Sequence, residues 1–370
     1  MHFLIEGERG LGKTSLFLRV AGQALGQTQL SNGHSVHFIV LNLELDASQS
    51  FFDILKMIAA DFKRAIAERE KVKSLAANTW EFLNKWEILG VRYHKMDQSM
   101  VQPYEVLNDL VVNFRKVITD TKGAVDGILI LLDEADRPGE KAALGELIKL
   151  LTEKLSKQGC NQVLLGLTGQ PGLIAKLKAS HESSSRVFTI FDLKPLKQAE
   201  CISVIKSGIE IANKINYPAT KIEDDACELI ALLSEGYPHF LQEFSFKAFE
   251  ADNDNLITVD DVKEGAFGPE GALSQLGHKF FNEIFYNQIG SDEYRGVLAA
   301  MAKYSDNWVN RTMIKKELEI KDTTLNNALQ ALKSRNIIIP NHAQSGEFKL
   351  PTKSFAAWIN AHNTLHSSIE

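Results

Sequence analysis

Apolar residues in this chain follow two rhythms that alternate along it. Short, nearly unbroken runs appear at HFLIE (2–6), HSVHFIVLNLEL (His34–Leu45), GILILLD (from Gly127), NQVLLGLTGQ (Asn161–Gln170) and RVFTIFDLKPL (Arg186–Leu196). Runs this short suit strands covered on both faces, as in a parallel sheet. Between them apolar positions recur at helical spacing, as βαβ units require. The pattern predicts an α/β fold built on a five-stranded parallel sheet. One connection, Asp46 to Asp126, is far longer than a loop and reads FFDILKMIAADFKRAIAEREKVKSL and then NTWEFLNKWEILGVRYHKM. Its spacing is helical, so it is expected to be inserted structure. Trp80, Phe82 and Trp86 within it form either a partner-binding face or, the more frequent use of such a stripe, plain core.

After Leu196 the strand rhythm stops. A helical segment (LKQAECISVIKSGIEIANKI), a capped helix beginning near Glu223, and EGYPHFLQEFSFKAFEAD follow. The last stretch reads EYRGVLAAMAKYSD, NRTMIKKELEI, DTTLNNALQALKSRN, then two short strands, IIIP and GEFKLP, joined by NHAQS. That order fits a winged helix. Asp322 or Thr323 is expected to cap its third helix, with Leu325, Ala328, Leu329 and Leu332 on one buried face. Asn326, Asn327, Gln330, Lys333 and Arg335 would then face outward, where such a helix often meets the major groove, with Lys315, Lys316 and Lys349 nearby for phosphates. Yet from Ser291 onward ten Lys and Arg face eight Asp and Glu, a balance of +2. This is thin for a protein whose affinity for DNA would come largely from phosphate contacts, and winged helices also serve as protein-contact modules.

Candidate chemistry sits at two strand ends. GERGLGKTSL (Gly7–Leu16) meets every fixed position of G-x-x-x-x-G-K-[ST] and follows a short apolar strand. Gly7, Gly10 and Gly12 let the backbone turn tightly, so that N–H groups of Glu8, Arg9, Leu11 and their neighbours face an anion at the start of the next helix, from Ser15 and Leu16. Lys13 would reach β and γ phosphates, and the Thr14 hydroxyl would bind Mg²⁺. The second place is ILILLDEADR (Ile128–Arg137), where Asp133 and Glu134 emerge at the carboxyl edge at which ligands of open α/β sheets gather. Asp133 becomes the second Mg²⁺-side group and Glu134 the candidate catalytic base.

The letters DEAD also name a helicase family, but such a helicase needs a Ser-Ala-Thr strand motif and a second motor domain. Here the next strand ends in Leu167-Thr168-Gly169-Gln170, and a helical segment follows. Composition narrows the class further. With 370 residues and 44% hydrophobic content, the chain can bury a large core in two or three domains. Cys160, Cys201 and Cys227 lack metal-ligand spacing and read as reduced core thiols. No apolar run approaches a membrane span, and the phosphate loop and its strand occupy the start, so a cytosolic (cytoplasmic) protein with no membrane partner is expected. The net charge of −6 gives no overall pull toward nucleic acid.

GERGLGKT, LLLDEAD, LLGLTGQPGL, the Arg186 strand running into LKPL, and GYPHFL together resemble the AAA+ and STAND ATPases related to archaeal origin-recognition initiators, and the transposition and secretion ATPases near them. The resemblance covers nearly the whole chain. It implies an AAA+ P-loop ATPase domain (1–196, helical insertion about 46–126), a helical lid (197–270) and a winged-helix domain (271–370). It further implies an oligomeric ATP-hydrolysing switch or remodeller, with ATP and Mg²⁺ bound and with a protein or DNA partner. Thr168 or Gln170 falls at the sensor 1 position. Arg186 stands where relatives place an arginine that enters the neighbouring subunit's site, although it could instead cap the preceding helix. His239 lies near the place of a sensor 2 arginine, a departure from the initiator pattern. Relatives usually carry an adenine-contacting segment before the first strand. Here that strand begins by Phe3, so either Tyr237 and Pro238 hold the adenine or, as expected here, the natural N-terminus lies further upstream.

Overall fold

The computed structural model describes residues 2–75, 103–305, 307–335, 337–341 and 344–366; Trp80, Phe82 and Trp86 lie outside the described residues. The chain divides into two compact units, Met1–Lys194 and Pro195–Glu370.

The first unit is built on β1 (His2–Glu6), β2 (Phe38–Glu44), β3 (Gly127–Asp133), β4 (Val163–Gly169) and β5 (Phe188–Asp192). They form one parallel sheet in the order β2-β3-β4-β1-β5. All seven residues of β3 are buried. Its alternate positions feed two cores: Ile128, Ile130 and Leu132 meet Ile54, Ile58, Phe62 and Phe114 on one face, while Leu129 and Leu131 meet Phe17, Ala21 and Ala24 on the other. Each fully buried side chain of this size contributes roughly 1.5–3 kcal/mol, so the sheet is rigid where it carries the site. The order places β4 between β1 and β3. The carboxyl ends of these three strands therefore converge at one edge.

Boundaries differ from the sequence reading in three places. The helix Lys13–Ala24 starts two residues before Ser15, which brings Lys13 and Thr14 into its first turn. Strand β2 starts at Phe38 and not at His34. Residues Ser184–Val187 form a 3₁₀ turn before β5, because the Arg186 N–H bonds the Ser183 carbonyl at 3.2 Å and is not free for a ladder. Inserted helices are present as expected. Phe51–Ala67 opens with a reciprocal Ser50–Asp53 capping box, and its buried Asp61 accepts the Asn42 N–H at 3.1 Å. That bond satisfies a donor on the outer edge of β2, where an unpaired strand invites association.

In the second unit, helices Gln198–Ala212, Asp224–Ser234, Pro238–Ala251 and Val259–Phe267 are followed by Ala272–Leu276, which runs on with π-helical geometry over Gly277–Phe281 and Glu283–Asn287. A Cβ at Gly277 would fall 2.0 Å from Trp358 Nε1, so the indole needs glycine there. Helices Asp292–Ala302, Arg311–Glu317 and Asp322–Ser334 come next, with a three-stranded sheet in the order β6 (Val309–Asn310), β8 (Glu347–Lys349), β7 (Ile339–Pro340). The final helix, Lys353–His366, binds the unit together: Ser354 Oγ donates to the Leu233 carbonyl at 3.2 Å and Asn360 Nδ2 to the Ala302 carbonyl at 2.9 Å. Leu325, Ala328, Leu329 and Leu332 are buried as their spacing predicts. The cap is not the predicted one. Lys321 holds the N-cap position without a side-chain bond, and Asp322 pairs instead with Arg311 at 3.2 Å and Lys315 at 3.1 Å. No helix of the described residues is long and apolar enough to cross a membrane.

Candidate functional site

The loop between β1 and the Lys13–Ala24 helix is shaped by its glycines. Gly7 donates to the Gly169 carbonyl at 3.2 Å, and a Cβ there would press within 3.0 Å of the Leu193 carbonyl, so the loop root is clamped between the ends of β4 and β5. Gly10 and Gly12 take φ of 88° and 82°. A Cβ on Gly12 would meet nothing within 4 Å, so glycine is required there by backbone handedness alone. Leu11 is buried and anchors the loop, while Arg9, Thr14 and Ser15 are exposed and Glu8 is half-buried. No side chain caps the helix at Gly12 and its first turn holds no acidic residue. Its first N–H donors thus sit beside an uncontested positive helix end, an arrangement that takes phosphate. Lys13 Nζ donates to the carbonyls of Gly7 at 2.7 Å and Glu8 at 2.9 Å. Burial pulls its pKa below the usual lysine range, opposed by the charges of Asp136, Glu134, Asp133 and Glu8.

Across from the loop, Asp133 ends β3 as a buried carboxylate. Thr14 Oγ1 donates to its Oδ2 at 2.7 Å, while its Oδ1 accepts the Thr168 hydroxyl and the Glu134 N–H, the latter at 2.8 Å. Glu134 lies in the left-handed region, φ 56°, a conformation that costs a non-glycine residue roughly 1–2 kcal/mol. Arg137 Nε meets Glu134 Oε2 at 2.5 Å, and Nη1 of the same guanidinium lies 3.6 Å from Glu44 Oε1. The ends of β3 and β4 are tied further: the Ala135 N–H reaches the Thr168 carbonyl at 2.8 Å and the Gln170 N–H reaches Asp136 Oδ1 at 2.9 Å. Lys176 donates to the Asp136 carbonyl. Hard oxygen donors at Thr14 and Asp133 suit Mg²⁺, which commonly takes one or two carboxylates and completes its shell with water and substrate phosphates. Among the described residues no cluster of three His, Cys, Asp or Glu side chains would hold a metal unaided.

The first unit thus brings together Gly7–Ser15, Asp133, Glu134, Thr168 and Gln170. Thr168 is fully buried on Asp133, whereas the half-buried Gln170 keeps its side-chain amide out of any bond within the described residues. Arg186 is exposed, and its guanidinium pairs with nothing among the described residues, so it caps no helix. Tyr237, Pro238 and His239 belong to the second unit. Tyr237 is buried with its ring 5.3 Å from Phe240, and Pro238 occupies the first position of its helix. The His239 ring lies 4.6 Å from Phe280 with Nε2 buried and unbonded, and burial lowers its pKa against the opposing charge of Glu243. Sequence reasoning passed over Asp136 and Arg137, although both stand in ILILLDEADR. The three-residue spacing of Glu134 and Arg137 was the available signal.

No family model matches the sequence, and no curated protein matches it. Solved structures do. A Walker-type ATPase of Pyrococcus abyssi superposes with a TM-score of 0.55 at 17% identity, over 96% of this chain and 90% of that one. The ORC2 protein of Aeropyrum pernix, solved as ADPNP–ADP complexes, gives a TM-score of 0.55 at 13% identity, over 99% of this chain and 88% of that one. At such identities the likeness is one of fold. With its five parallel strands in the order β2-β3-β4-β1-β5, this chain shares the α/β fold of that Walker-type ATPase and of the archaeal ORC2 protein.

Proposed function

We propose that the chain binds ATP with Mg²⁺ at the β1–β3–β4 edge and hydrolyses it slowly, as an oligomeric switch or remodeller acting on a protein partner. One observation carries this reading. The Thr14 hydroxyl and Asp133 carboxylate stand 2.7 Å apart directly beside a glycine-shaped helix start and a second acid, Glu134. The fold shared with the Walker-type ATPase and with the ORC2 protein, and the adenine nucleotides in the ORC2 complexes, support it.

In this reading the N–H groups of Gly7–Ser15 and the Lys13 ammonium hold the phosphates. Thr14 and Asp133 hold Mg²⁺, which when bound offsets the charge of the β and γ phosphates. Thr168 fixes the Asp133 carboxylate, and Gln170 offers its amide to the γ-phosphate. Glu134 accepts a proton from water as that water bonds to the γ-phosphorus; the bond to the β-phosphate oxygen breaks, and ADP and phosphate leave. Positioned general bases of this kind contribute about 10²–10⁴ in rate. Arg186, exposed and unpaired among the described residues, is free to reach a neighbouring subunit's site, where such a group stabilises charge on the transferred phosphoryl. The test is direct. Lys13→Ala should abolish nucleotide binding by calorimetry, and Glu134→Gln should keep binding and lose turnover at least about a hundredfold. Wild-type turnover in Glu134→Gln would refute the assignment of the base. Mixing Glu134→Gln with Arg186→Ala subunits, each inactive alone, should restore phosphate release if Arg186 acts in trans.

The region 271–370 is read as a winged helix that contacts protein. Its basic side chains are largely engaged within it: Arg311 and Lys315 on Asp322, Lys303 on Glu317, Arg335 on the Gln288 carbonyl and Lys349 over the Trp308 ring. DNA binding would have to draw these cations away. A second reading, a scaffold that keeps ATP without turning it over, is favoured by the Arg137 guanidinium resting on Glu134. Retention of ATP through purification with no phosphate release at any protein concentration would select it.

A further inference from the structure

We propose that Arg137 is a positioning residue that limits how often Glu134 is available to water, with Glu44 as its alternate seat; this rests on Glu134 being the base. One guanidinium serves two carboxylates. Its Nε meets Glu134 Oε2 at 2.5 Å, and its Nη1 stands 3.6 Å from Glu44 Oε1. The geometry holds the three groups together. The Arg137 N–H bonds the Glu134 carbonyl at 2.9 Å, which closes a turn and keeps the arginine over the acid three residues before it. Glu44 is in register with Asp133 on the adjacent strand, so its carboxylate flanks the same end of β3.

Glu134 has little backbone freedom with which to escape. Its φ is 56° and its N–H is bound to Asp133 Oδ1 at 2.8 Å. The side-chain torsions remain, and they divide the carboxylate between Arg137 and the substrate side. While the guanidinium sits on the carboxylate, it occupies an oxygen and neutralises the charge that would attract a proton from water. Both partners are partly exposed, 48% for Arg137 and 31% for Glu134, so the restraint is weak. Exposed pairs of this kind shift an equilibrium by about two- to fivefold at most. A brake of that size suits a switch, because a competing carboxylate is enough to release it. Glu44, 72% exposed, is the competitor this chain supplies.

The test uses the full chain, Mg²⁺ and ATP, with phosphate release followed under saturating nucleotide and Glu134→Gln as the zero. Arg137→Ala should raise kcat about two- to fivefold while KM and the calorimetric Kd for ATP stay put. Arg137→Lys, which keeps the charge, should stay near the wild type. Glu44→Gln should lower kcat, since the arginine then has one seat, and this effect should vanish in the Arg137→Ala background. A kcat that is unchanged or lower in Arg137→Ala, or a Glu44→Gln effect that persists there, overturns the proposal. If the wild type sits at the assay floor, Arg137→Ala must lift the rate above it and adding Glu134→Gln must return it; a rate still at the floor overturns the proposal as well. Failure of the base reading shows elsewhere, as turnover in Glu134→Gln alone.

Discussion

Two of the helices that begin without a side-chain cap meet opposite ends. At Lys13–Ala24 the residue before the helix is Gly12, in the left-handed region, and no acidic group stands in the first turn. At Asp322–Ser334 the N-cap is Lys321, and the first turn opens on Asp322. Both leave orphan N–H donors and a positive helix end. In the second helix the chain's own carboxylate occupies that field, and Arg311 and Lys315 gather on it. In the first helix the field is kept for something from outside. At Lys13–Ala24 the sequence withholds its own acid from the helix start, which leaves that end open to an anion from outside.

That contrast can be broken from either side. The largest effect is expected from Gly12→Ala, which forces a Cβ into a left-handed backbone at about 1–2 kcal/mol and moves the N–H donors off their target. Affinity for Mg²⁺ and ATP should fall tenfold or more by calorimetry, the fold staying intact; full affinity would mean that the loop geometry is not what binds. A smaller gain is expected from Asp322→Asn, which frees Arg311 and Lys315. Binding to random duplex DNA, followed by anisotropy across a salt series, should tighten severalfold at low salt, with the log–log slope steeper by up to about 2 for two added phosphate contacts. An unchanged slope would show that those two cations do not limit DNA binding.

The smallest effect concerns His239, packed on Phe280 and faced by Glu243 and Lys279. Burial lowers its folded pKa from the ordinary 6.5. Above that value both states are neutral and nothing changes. Below it the unfolded chain takes up a proton that the folded chain resists, so stability falls as pH drops from 6.5 toward the folded value. The loss should show as a falling urea midpoint as pH drops below 6.5, and His239→Phe should flatten it in urea titrations at stepped pH. An equal slope in the variant would place the titration elsewhere.

Much of this was legible in the residues because it depends on local pattern. The unbroken run Ile128–Leu132 could only be a strand covered on both faces, and GERGLGKT carries its turn chemistry in its glycines. Asp322 shows where legibility stops. Its cap propensity is real, but Arg311 and Lys315, distant in sequence terms from a local cap rule, outbid the backbone for the carboxylate. Arg186 reads as a strand residue by β pattern, yet Ser183 takes its N–H into a turn. The pairing of Arg137 with Glu44 needed β2 set beside β3, a fact of sheet order that no single stretch of sequence contains.

The left-handed backbone at Glu134 has an evolutionary consequence. Folding alone would prefer glycine there, or asparagine, which visit this region at little cost. A glutamate at this position works against stability, a cost that a need for its carboxylate in turnover would account for. Descendants of this chain that lose the need for turnover but keep their fold are therefore expected to drift at this residue first, toward glycine or asparagine. A survey of such copies would read the history of the activity from one backbone angle.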